Sequence, residues 1–137
     1  MLNFILFKDL PLLYGRVPKV ANSSIKAAMC RLLKTAPLEG IRTTSDSFWK
    51  TGTNGETSMI SNHKARMLRG THFSFSFVRN PFDRLVSAYN NKLLELATIP
   101  GRMKAMGLRH SMPFGDFLEV VASTRDDDLD VHLLPQS

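Results

Sequence analysis

The sequence predicts an α/β domain in which strands run directly into helices, and three observations support this. In residues 73–92, FSFSFVRNPFDRLVSAYNNK, the residues Phe73, Phe75 and Phe77 alternate with Ser74, Ser76 and Val78 at the period of a strand. After the Asn80-Pro81 break, apolar residues recur at Phe82, Leu85, Val86, Tyr89, Leu93 and Leu96, the spacing of an amphipathic helix. A second strand–helix unit starts at residues 12–17, LLYGRV, and passes through a polar loop into a helix with Ile25, Ala28, Met29, Leu32 and Leu33 as its buried face.

The composition, 43% hydrophobic and 22% charged, is that of a globular chain rather than a disordered or fibrous one. Its 137 residues suit one domain, 1–137, able to bury about two thirds of its unfolded surface. We find no internal repeat or low-complexity tract.

From the start of the chain, MLNFILF is apolar, but Lys8 and Asp9 end the run well short of the roughly 20 residues of a membrane span. No basic segment precedes it, so neither a span nor a signal peptide is expected, and a short strand or an edge-covering segment is. Residues 43–62 read as a connector too long to be idle, one that would cover a ligand or shape a second site. A short strand is expected near 40–44. Trp49 would either stack on a ring of a ligand or pack onto the core. Residues 63–69, HKARMLR, form a basic helical turn, and residues 98–113 a second basic connector. Phe114, Phe117, Leu118 and Val121 give one face of a further helix, followed by an acidic turn at 125–130.

Lys plus Arg number 18 against 12 acids, a net charge of +6 that suits an anionic partner without choosing among nucleotide, acidic glycan, nucleic acid and membrane surface. The single Cys30 cannot form an internal disulfide and leaves no thiolate cluster for a metal, so no metal is expected.

The two strand-to-helix corners carry the chemistry. A helix that starts at the carboxyl end of a parallel strand turns its free N–H groups and its positive dipole end toward the crevice where anions bind. At residues 79–87, Arg79 ends the strand, Arg84 lies in the first helical turn and Ser87 follows about one turn later. The structural alternative pairs Arg79 with Asp83 and packs Ser87 against the sheet. At residues 18–24, Pro18, Lys19, Val20, Ala21, Asn22, Ser23 and Ser24 make a loop of small and hydroxylated residues, with Asn22, Ser23 or Ser24 as helix cap. Lys19 stands at its mouth, where a cation stabilises charge on a phosphate or sulfate oxygen. The Walker order G-x-x-x-x-G-K-[ST] is missing, which removes the main support for an ATPase or kinase.

Together these two stretches resemble the sulfotransferases, most closely the carbohydrate sulfotransferases that modify chondroitin and dermatan. PKVANSSIK is similar to that family's 5′-phosphosulfate loop, and FVRNPFDRLVSAYNNK to its 3′-phosphate motif. Phe114-Gly115-Asp116-Phe117-Leu118 and Asp130-Val131-His132-Leu133-Leu134-Pro135-Gln136 resemble two later segments in the same order. The resemblance implies a three-layer, P-loop-like fold with a parallel sheet between helices. It also implies 3′-phosphoadenosine-5′-phosphosulfate as donor, and a carbohydrate or glycan hydroxyl as acceptor. Residues 18–24 would hold the 5′-phosphosulfate, with Lys19 as the main catalytic cation. Arg79 and Ser87, with Arg84 beside them, would grip the 3′-phosphate.

The acceptor's proton needs a base, for which His132 and His63 are the candidates. Ala21 and Asn22 stand where a glycine and a small residue are common in the family. The family pattern continues past Ser137, so the expectation is a member lacking the C-terminal portion, with an incomplete sheet. Eukaryotic relatives would be Golgi membrane proteins and a bacterial version cytoplasmic; no anchor is expected in these residues. A donor-binding remnant without turnover and a basic nucleic-acid-binding protein are the other functional classes. No recognised nucleic-acid motif supports the last, and no nucleic acid is expected as partner.

Overall fold

The computed structural model describes residues 2–136, which divide into two compact units meeting in sequence between Phe77 and Val78. The first unit is built on a sheet of four strands: β1 (Leu2–Phe7), β2 (Leu12–Gly15), β3 (Thr57–Ser61) and β4 (Phe73–Ser76), in the order β3-β1-β2-β4. β1 runs antiparallel to both β2 and β3, with Leu6 opposite Leu13 and Ile5 opposite Met59. β2 and β4 are parallel, Tyr14 beside Phe75. The sheet is therefore mixed, where the sequence led us to expect a parallel one. The reason is local: the apolar N-terminal run forms an interior strand with two antiparallel neighbours rather than an edge cover.

Residues 40–44 contribute no strand. The expected long connector holds structure of its own, a π-helical turn (Phe48–Gly52) followed by β3.

Period-two alternation gives the sheet two apolar faces, each with its own cover. Ile5, Phe7, Tyr14 and Met59 point one way and bury Met29 of α1 (Asn22–Met29) together with Phe48 and Trp49. Leu13 and Ile60 point the other way and bury Ala65 of α2 (Asn62–Met67), with Phe4, Leu6 and Leu68 around them. Trp49 is fully buried, 5.1 Å from the Phe48 ring and 6.0 Å from the Phe7 ring, and its Nε1 donates to the Thr43 carbonyl at 2.8 Å. Of its two expected uses, packing is the one observed. A Cβ at Gly15 would lie 3.0 Å from Cε1 of Phe4, so the Phe4 ring would have to shift to admit a side chain there.

The second unit is helical: α3 (Pro81–Tyr89) with a π-helical continuation (Asn90–Glu95), α4 (Gly101–Ala105), α5 (Phe114–Ser123) and a 3-10 turn (Asp126–Asp128). Its core joins Ala88, Leu93, Met103 and Phe117 to Leu129 and Leu133. The basic connector thus also supplies core, through Ile99, Met103, Leu108 and Met112. The rings of Tyr89, Phe114 and Phe117 lie 5.1 to 5.8 Å apart, and the Tyr89 hydroxyl donates to the Met112 carbonyl at 2.6 Å.

The buried helix faces differ from those expected. In α3, Phe82 and Val86 are exposed while Arg84 and Ala88 are buried. In α1, Met29 is buried as expected, but Lys26 is buried in place of Ala28, and Leu32 is exposed. α1 gives way to a 3-10 turn (Cys30–Leu32), and three residues per turn shift the phase of everything after it.

Candidate functional site

In the first unit, β2 leads through residues 16–21 into α1. Lys19 and Ala21 have φ of 65° and 63°, the left-handed region that non-glycine residues rarely enter. Main chain of this kind makes concavities lined by N–H groups that suit anions. The N-cap of α1 is Ala21, and no side chain caps the helix. Asn22, Ser23 and Ser24, the expected caps, are instead the first three helical residues, and Asn22 Oδ1 accepts from the Tyr14 hydroxyl at 3.0 Å. Burial pushes that hydroxyl up to about 12, with the Arg16 charge opposing. Ser23 and Ser24 are exposed, Pro18 and Lys19 half-buried and Val20 buried.

A charge cluster flanks this loop in sequence. Lys26, in α1, is only 2% exposed, and its Nζ donates to Asp46 Oδ1 at 2.9 Å and to the Thr44 carbonyl at 3.0 Å. Arg16 Nη1 meets the same Asp46 oxygen at 2.6 Å. Burial works upward on the Asp46 carboxyl, but the hydrogen bond from Lys26 and the charges of Arg16 and Lys26 outweigh it and hold it below its ordinary value. Sequence reasoning missed all three residues. The available signal was Lys26 itself, a cation placed between Ile25 and Met29 on a face otherwise apolar. His63, on α2, is exposed.

In the second unit, Arg79 is exposed and precedes α3. The start of α3 differs from that of α1, because Asn80 Oδ1 accepts from the N–H groups of Phe82 at 2.9 Å and Asp83 at 3.5 Å. Pro81 has no N–H. An anion at this corner therefore meets side chains rather than those helix N–H groups. Arg84 is buried and its Nη1 donates to the Leu134 carbonyl; burial lowers its pKa. Ser87, half-buried, lies one turn beyond Arg84.

The structure brings residues 130–136 to this same corner. Gln136 Oε1 accepts from the Arg79 N–H at 2.8 Å, and Gln136 Nε2 donates to the Arg79 carbonyl at 2.6 Å. His132 Nδ1 lies 2.7 Å from Oδ1 of the buried Asp130. A carboxylate only accepts, so the imidazole proton sits on Nδ1 and Nε2 is the basic nitrogen.

Among the described residues, no group of three or more His, Cys, Asp or Glu is placed to hold a metal ion, and no helix is long and apolar enough to cross a membrane.

A family model described as the sulfotransferase family matches residues 2–137. The chain is 29% identical over 151 aligned positions to carbohydrate sulfotransferase 14 of Mus musculus, a match covering 98% of this chain and 39% of that protein. No solved structure matches the chain significantly. With two strand-to-helix corners in place and the family model covering nearly every residue, the chain belongs to the sulfotransferase family.

Proposed function

We propose that this chain binds 3′-phosphoadenosine-5′-phosphosulfate and transfers its sulfuryl group to a hydroxyl of a carbohydrate. The observation that carries this reading is the uncapped start of α1 behind two left-handed residues, a main-chain arrangement that suits an anion and has Lys19 within it. The resemblance of residues 18–26 and 77–92 to donor-binding motifs adds the identity of the anion. Similarity to a carbohydrate sulfotransferase suggests the acceptor class. Helical cover on both sheet faces supports the three-layer, P-loop-like arrangement that the resemblance implies.

In this reading the donor's two anionic ends are handled separately. Residues 18–24 hold the 5′-phosphosulfate, and Arg79 and Ser87 hold the 3′-phosphate. The sulfur–oxygen bond to the 5′-phosphate breaks as a bond from sulfur to the acceptor oxygen forms, and the acceptor's proton goes to a base. Lys19 stabilises the charge left on the departing phosphate, as cations do in phosphoryl transfer. His132 is favoured over His63 as that base, because Asp130 orients its ring, whereas His63 lies exposed on α2. Arg84, buried against Leu134, shapes the corner rather than gripping the ligand.

The test is transfer of radiolabelled sulfate from the donor to desulfated chondroitin and dermatan by the purified chain, with Lys19→Ala and His132→Ala alongside. Transfer that both substitutions reduce by at least about a hundredfold supports the reading. Donor binding without transfer identifies a donor-binding chain, and absence of both refutes the proposal.

A further inference from the structure

We infer that Gln136 is a positioning residue, fixing the main chain of Arg79 so that the arginine is set to receive a 3′-phosphate. This rests on the donor reading above and adds a specificity determinant to it. The side-chain amide of Gln136 meets both polar groups of one residue, accepting from the Arg79 N–H at 2.8 Å and donating to its carbonyl at 2.6 Å. That is the pairing a neighbouring strand would give, supplied here by a side chain at a point where β4 has already ended at Ser76.

The amide is presented from a rigid support. Leu133 is buried in the helical core, and its N–H and that of Leu134 reach the Asp130 carbonyl at 2.8 and 3.2 Å. The Leu134 carbonyl is held by Arg84, and Asp130 Oδ1 accepts from the His132 N–H at 3.0 Å. On the other side of Arg79, Asn80 is fixed by its own capping bonds to Phe82 and Asp83. The backbone of Arg79 is thus clamped from both directions while the residue as a whole stays exposed. A fixed root removes the main-chain part of the ordering cost of binding and sets the direction from which the guanidinium approaches the phosphate.

A residue that merely stabilised the fold would weaken every ligand alike, whereas a positioning residue for Arg79 changes only the recognition of the group Arg79 meets. The experiment compares 3′-phosphoadenosine 5′-phosphate with adenosine 5′-monophosphate by calorimetric titration of the full chain and of its Gln136→Met variant. The expected result is a preference for the 3′-phosphorylated nucleotide that falls about tenfold or more in the variant, with binding of the monophosphate unchanged. Equal losses for both nucleotides, or an intact preference, overturn the positioning role while leaving the donor reading in place. A wild-type chain with no preference overturns both. Hydrogen exchange on the wild-type protein provides a check that needs no variant: the Arg79 amide is expected to be protected, and rapid exchange there removes the proposed clamp.

Discussion

Removing the carboxylate of Asp46 leaves a buried ammonium short of its counter-charge, and the cost follows from the geometry. Lys26 is 2% exposed and keeps only the Thr44 carbonyl among the acceptors described for its Nζ. Breaking a fully buried pair from one side costs roughly 3–5 kcal/mol. The Asp46 side chain is 45% exposed, so solvent screens part of that interaction, and the retained carbonyl lowers the cost further. Asp46→Ala is therefore expected to destabilise by about 2 kcal/mol. Lys26→Met removes the desolvated charge itself, keeps the Arg16–Asp46 pair at 2.6 Å and fills the space with an apolar chain of similar length. Its cost is expected to stay below about 1 kcal/mol.

The assay is urea unfolding at neutral pH followed by fluorescence of Trp49, the sole tryptophan, which is buried in the same cluster as Met29 of α1. The sign with pH is fixed by linkage. The Asp46 carboxyl sits below its ordinary 3.8 in the folded chain, so its contribution is present above that value. The contribution is lost as pH falls through the lower folded value. The gap between wild type and Asp46→Ala should therefore be constant at neutral pH and close in acid. Wild-type stability in Asp46→Ala, or a larger loss in Lys26→Met, would refute the view of Asp46 as the counter-charge of a buried lysine.

In the helical unit, Phe117→Ala is expected to cost roughly 3–5 kcal/mol in urea unfolding, because the ring is fully buried among Tyr89, Phe114 and the rest of that core. Asn80→Ala removes the cap of α3 and is expected to cost about 1 kcal/mol in the same measurement. Tyr14 ionises at about 12 against an ordinary 10.0. Its contribution is present below pH 10 and lost as pH rises through 12, so Tyr14→Phe should flatten the alkaline decline in stability over that interval.

The strand–helix order of the chain was readable because alternation at Phe73, Phe75 and Phe77 and the polar loop before Ile25 are local signals. The mixed direction of the sheet was readable only in part: the link from Phe7 to Leu12 is too short for a parallel crossover, but the second antiparallel neighbour, β3, lies inside a stretch that reads as a connector. Helix faces were misjudged because buried cations, Lys26 with Asp46 and Arg84 with the Leu134 carbonyl, take positions that a hydrophobic pattern leaves to apolar residues; only at Leu32 does a change of pitch, the 3-10 turn, shift the phase. Of the candidate site, Lys19 and Arg79 announced themselves by position. The partners that hold the corners did not: Asp46 lies 20 residues from Lys26, and Gln136 lies 57 residues from Arg79. No short-range pattern carries such pairings. The cap of α3 by Asn80 was readable in principle from Asn-Pro at a helix start, and it changes how an anion would be held there.

The account's central claim is a site for a nucleotide with two separate anionic ends, and calorimetric titration of 3′-phosphoadenosine 5′-phosphate into the full chain tests it most directly. Lys19→Ala and Arg79→Ala are measured alongside, with adenosine 5′-monophosphate as the comparison. The prediction is one bound nucleotide per chain, with a clear preference for the 3′-phosphorylated form. Lys19→Ala should weaken both ligands, and Arg79→Ala should abolish only the preference. A folded chain that binds neither nucleotide, or binds both equally and ignores Arg79, would contradict the claim.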